Sequence, residues 1–70
     1  MTKSETIKET GKILRELAFL MKIDDYPNTI PFIKTILEFM EEEFDEESCE
    51  TIRVKFKKLK EDRELLLRGR

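Results

Sequence analysis

Seventy residues allow a single domain, spanning 1–70, and a chain of this size buries only about 60% of the surface its unfolded form exposes. There is no histidine, one cysteine and two glycines, which excludes an intrachain disulfide, a tetrahedral zinc site on one chain and a glycine-rich phosphate loop. Charged residues make up 43% of the chain yet the net charge is only -2, so the whole molecule is not suited to binding nucleic acid through bulk charge.

A core this small needs support, and with disulfide and zinc gone the support left is oligomerisation. We therefore expect a homodimer. Cys49 as a free thiol, and the lack of an apolar signal core in the first residues, point to a reducing, cytoplasmic setting. The most apolar run, residues 13–23, is broken by Arg15, Glu16 and Lys22 and is too short to span a bilayer.

The first predicted helix covers about 3–22. Thr2 with Glu5 has the spacing of a capping box, with Ser4 as a competing cap. Ile7, Leu14, Leu17 and Met21 form one stripe, Thr10 fills its gap, and Ile13, Ala18 and Leu20 widen it. Gly11 lies inside this helix at a cost of about 1 kcal/mol relative to alanine. It is either a tolerated surface glycine or the point where a second helix comes close.

Residues 24–28 read as a connection, because Pro27 and Pro31 flank Asn28 in a stretch rich in turn-forming residues. The second helix, about 29–44, has Pro31 in its first turn. It carries two apolar stripes: Ile30, Ile33, Leu37, Met40 and Phe44, and beside it Phe32, Ile36 and Phe39. One neighbouring helix does not cover a face that wide, so this helix is either the central layer of a bundle or it meets a partner.

From Glu38 to Glu50 the chain has eight acids and no base; from Arg53 to Arg70 it has eight bases against three acids. No glycine or proline separates the two blocks, so one helix from 29 to 67, about 58 Å long, is open as an alternative and would make a hairpin with one long arm. Three observations favour a break instead. The pairs Glu42–Glu46, Glu43–Glu47 and Glu46–Glu50 repel at i,i+4. The apolar stripe changes phase before Ile52, Phe56 and Leu59, and Asp45 or Ser48 is suited to cap a new helix. The third helix then covers about 46–67, with Ile52, Phe56, Leu59, Arg63 and Leu66 in its stripe and Gly69 beyond its end. The fold class is all-α, a small bundle of three amphipathic helices.

Acid–base catalysis needs a group whose pKa lies near the working pH, and histidine is absent. Glu42 and Glu46 have the spacing of a carboxylate pair but belong to a solvated acidic run. Cys49 is flanked by Glu47, Ser48 and Glu50, which disfavours a thiolate. No loop has the oxygen-ligand pattern and central glycine of a calcium hand. We expect no enzyme, no cofactor and no metal.

The expected function is a small protein–protein interaction module, an adaptor, inhibitor or regulatory subunit. Its contact face comprises Phe32, Ile36, Phe39 and Met40, oriented by Glu42, Glu43 and Glu46 against Lys57, Lys58 and Lys60. The competing class is a nucleic-acid-binding regulator using Arg53, Lys57, Lys58, Lys60 and Arg68, although these spread around the helix instead of forming one strip. Against that stands the plainer expectation that the bases sit beside acids of the second helix or of a second chain. A membrane-surface role for the same helix, with Phe56 and Leu65 to Leu67, is weakened by Glu61, Asp62 and Glu64.

Overall fold

The computed structural model describes residues 1–69 as three helices, α1 (Lys3–Leu20), α2 (Thr29–Glu43) and α3 (Glu46–Arg68). Arg70, counted above in the basic block, lies outside the described residues.

Local chemistry sets each helix end. At the start of α1, the Thr2 hydroxyl accepts from the Glu5 backbone N–H at 3.2 Å while the Glu5 carboxylate accepts from the Thr2 N–H at 3.1 Å, closing the expected capping box. The helix stops at Leu20, two residues short of expectation. Lys22 turns left-handed with φ 59°, so that Ile23 N–H reaches the Ala18 carbonyl at 3.0 Å and Lys22 N–H reaches that of Phe19 at 3.1 Å. This double closure satisfies carbonyls the helix end would otherwise leave open, and it folds Ile23 back onto the core. Met21, read as part of the buried stripe, is consequently exposed.

At the start of α2, Thr29 Oγ1 donates to the Ile23 carbonyl at 2.5 Å, tying the helix start to the end of α1, whereas Asn28 makes no side-chain cap. Pro31 stands third in α2, where a helix has no internal acceptor for an N–H. Between α2 and α3 the chain is broken by an extended Phe44 (φ -112°, ψ 145°) and by Asp45, whose carboxylate accepts from the Ser48 N–H at 2.8 Å. The bundle therefore has three helices and not one long arm. The cap, the like-charged run and the change of phase all act at the same place.

The register follows from the cross-helix bonds. Thr6 with Glu50, Glu9 with Arg53 and Glu16 with Lys60 share one separation, 44 residues, so α3 runs parallel to α1. Lys3 Nζ donates to the Glu41 carbonyl at 2.7 Å and Gly11 faces Leu37, so α2 runs antiparallel to both. Both α2 and α3 pack on α1, and they touch each other little. The central helix is thus α1 and not α2. Gly11 is buried, and a Cβ there would lie 2.9 Å from Leu37 Cδ1; it marks a close approach of α2, not a tolerated surface position.

The core is small. Ile13, Leu14, Leu17 and Ala18 of α1 meet Ile33 and Met40 of α2 and Cys49 of α3, with Ile23, Ile36, Leu37 and Phe56 packed at its edge. Two threonines are buried beside them. Thr10 Oγ1 donates to the Thr6 carbonyl at 2.8 Å and Thr6 Oγ1 to Glu50 Oε2 at 3.5 Å, so neither hydroxyl is left without a partner. The body is a slab, 39 × 26 × 14 Å, with a radius of gyration of 12.6 Å. A compact 70-residue domain has about 11 Å, so this one is elongated, along the direction of its helices.

Candidate functional site

The two stripes of α2 go to different places. Ile33 and Met40 are buried, and of the row Phe32, Ile36 and Phe39 the last two lie beside Ile52 and Phe56 of α3 while Phe32 is exposed at the row's start. Because α2 and α3 barely meet, the side between them stays open. It forms a groove of about 380 Å³ lined by Ile36, Phe39, Met40, Phe44, Ile52 and Phe56, with Thr35 at its rim. Its walls present only apolar atoms. Phe39 and Phe44 meet edge to face at one end, ring centres 5.3 Å apart. Phe32 is 65% exposed and Phe39 54%. Leu59 and Leu66 carry the row on along α3, each about half exposed.

Among the expected contact residues, Phe32, Ile36 and Phe39 thus come together on one open face. Met40 is a correction. At 1% exposure it is part of the core and the floor of the groove, because α1 takes the inner stripe of α2. Its carbonyl also accepts from Cys49 Sγ at 3.5 Å. The Cys49 thiol is buried, and burial pushes its pKa up, the setting of a packing residue rather than a nucleophile. Glu42, Glu43 and Glu46 are exposed at the end of the groove where α2 stops and α3 begins, and none pairs with a base among the described residues. They do not meet Lys57, Lys58 and Lys60 within the chain.

The bases of α3 are distributed otherwise than expected. Arg53, with only 15% of its side chain exposed, is held by Glu50 and Glu9. Lys60, 23% exposed, pairs with Glu16 and Glu64. Lys58 pairs with Asp62 at 3.5 Å, while Lys57 and Arg68 stand exposed. Within the chain, the acids that hold Arg53 and Lys60 therefore come from α1 and from α3 itself, and not from α2. The hydrogen bonds from Arg53 and Lys60 hold the Glu50 and Glu16 carboxyls below their ordinary range, and the same bonds raise the two bases. The five residues considered for phosphate contact do not form one free basic face. The sequence did carry a signal for this ladder: Glu9 and Glu16 repeat at the same seven-residue interval as Arg53 and Lys60.

Among the described residues no three acids or cysteines lie close enough to hold a metal ion, and no helix is long and apolar enough to cross a membrane. No protein-family model, curated protein or solved structure matches this chain.

Proposed function

We propose that this chain is a small protein–protein interaction module, a cytoplasmic adaptor, inhibitor or regulatory subunit that works as a homodimer through the open α2–α3 face. One observation carries the reading: the groove between α2 and α3 is bounded only by apolar atoms and leaves Phe39 in its wall more than half exposed, with Phe32, also more than half exposed, in the same helical row. Full burial of such a side chain is worth roughly 1.5–3 kcal/mol, a strong drive in a chain with so few core residues. Isolated exposed leucines need no explanation, but a contiguous apolar face of this kind supports an interface reading. Self-association through the open face would supply burial that so short a chain lacks.

The nucleic-acid reading loses support from the ion pairs of Arg53 and Lys60, which leave Lys57, Lys58 and Arg68 as the exposed cations of that set. Phosphate binding would weaken steeply with salt, whereas an apolar interface holds.

The test is mass in solution by light scattering, over a range of protein concentrations and at low and high salt, for the unaltered chain and for Phe39→Glu. The expected result is a salt-resistant dimer and a folded, monomeric variant. A monomer throughout, or a variant of unchanged mass, overturns the reading.

A further inference from the structure

We infer that the second copy docks antiparallel across the groove, so that the end carrying Glu43 on each protomer lies over the end carrying Arg63 on the other. The inference rests on the dimer reading above and adds its geometry. A two-fold interface uses one patch twice, so the patch must complement itself. The open face has the charge distribution this requires. At one end, where α2 stops, Glu43 falls in the same helical row as Phe32, Ile36 and Phe39 and is exposed, with Glu42, Glu46 and Glu47 exposed around that end but turned off the row. Toward the other end Arg63 falls in the same helical row as Ile52, Phe56, Leu59 and Leu66, and is also exposed. At 100° per residue the neighbouring acids Glu61 and Glu64 turn away from that row, and Asp62 is engaged by Lys58. Neither Glu43 nor Arg63 has an ion-pair partner among the described residues.

The orientation follows from repulsion as well as attraction. A two-fold parallel to the helices would set the acidic end of one protomer against the acidic end of its partner, and like charges brought together at an interface are strongly unfavourable. The antiparallel two-fold instead passes near Ile36 and Phe56, each seven residues along its helix from Glu43 or Arg63, and sets the acidic end against the basic end on both sides. Size agrees. The broad side of a body 39 × 26 Å across matches the roughly 800 Å² per partner of a standard interface.

Two measurements test the orientation. Dissociation constants are compared for the unaltered chain, Glu43→Arg, Arg63→Glu and the doubly exchanged chain. Each single change should weaken the dimer about tenfold, and the double exchange should restore it, because acid again faces base. Separately, a spin label at Glu43→Cys in a Cys49→Ala background should give a label-to-label distance of about 21 Å, from about 14 residues of helical rise. A dimer with a distance near 10 Å, or one indifferent to all three charge variants, overturns the antiparallel arrangement and leaves the dimer reading standing. A monomer at every concentration overturns both. The charge series needs no substitution at Cys49, so it decides the matter even if the labelled background does not fold.

Discussion

Gly11 on α1 and Leu37 on α2 occupy one another's space: a Cβ on Gly11 would come within 2.9 Å of Leu37 Cδ1. Two effects then oppose each other in Gly11→Ala. Helix propensity favours alanine by about 1 kcal/mol, and displacement of the leucine methyl opposes it. The variant should be near neutral in a urea melt. In a Leu37→Ala background the obstacle is gone, and Gly11→Ala should stabilise by about 1 kcal/mol. Equal effects in both backgrounds would show that the two residues are not in contact. Gly11→Leu should cost about 1–3 kcal/mol in the unaltered chain, since it forces α1 and α2 apart, and less in the Leu37→Ala background.

Lys22 closes α1 in a left-handed conformation, φ 59°, that a residue with a Cβ adopts at a cost. Its side chain is exposed and makes no ion pair among the described residues. Lys22→Gly should therefore raise stability by about 1 kcal/mol, seen as a higher urea midpoint with an unchanged slope. A loss of stability would mean that the lysine stem contributes packing its exposure does not reveal.

Met40 and Phe39 are adjacent in sequence and opposite in role. Met40 is 1% exposed, so Met40→Ala should cost about 2–5 kcal/mol and leave little folded protein. Phe39 is 54% exposed, so Phe39→Ala should change the stability of the dilute monomer by less than about 1 kcal/mol while weakening self-association. Helical circular dichroism at low concentration, read beside light scattering, separates the two effects. A Phe39→Ala chain that unfolds when dilute would make Phe39 a core residue and remove it from the interface.

Acidification should loosen the α1–α3 seam. Hydrogen bonds from Lys60 and Arg53 lower the Glu16 and Glu50 carboxyls from 4.5, and the capping bonds with Thr2 and Ser48 lower Glu5 from 4.5 and Asp45 from 3.8. A carboxyl whose folded pKa lies below its unfolded one contributes its full stabilisation above the unfolded value. That contribution is lost as pH falls through the folded value. The thermal midpoint should hold down to about pH 5 and then fall, and Glu16→Gln should make the fall shallower. A midpoint unchanged to about pH 3 would refute the contribution of these bonds.

Helix identity was legible because its causes are local. Thr2 with Glu5, Pro31 in a first turn and Asp45 before Ser48 act within a few residues, so the sequence placed three helices and the break between the second and third. The second apolar row of α2, Phe32, Ile36 and Phe39, was equally legible as periodicity, and it is the row left open. The end of α1 was not, because it depends on Ile23 folding back onto a core built partly by α2.

What the tertiary structure alone decided is which helix meets which. Periodicity marks the apolar side of a helix but not the neighbour that covers it; that depends on the register of segments far apart in sequence. Only the parallel register of α1 and α3 brings Glu9 and Glu16 to Arg53 and Lys60, and takes those bases out of a free basic face. Only the central position of α1 buries Gly11 and Met40, and leaves α2 and α3 with an apolar groove between them.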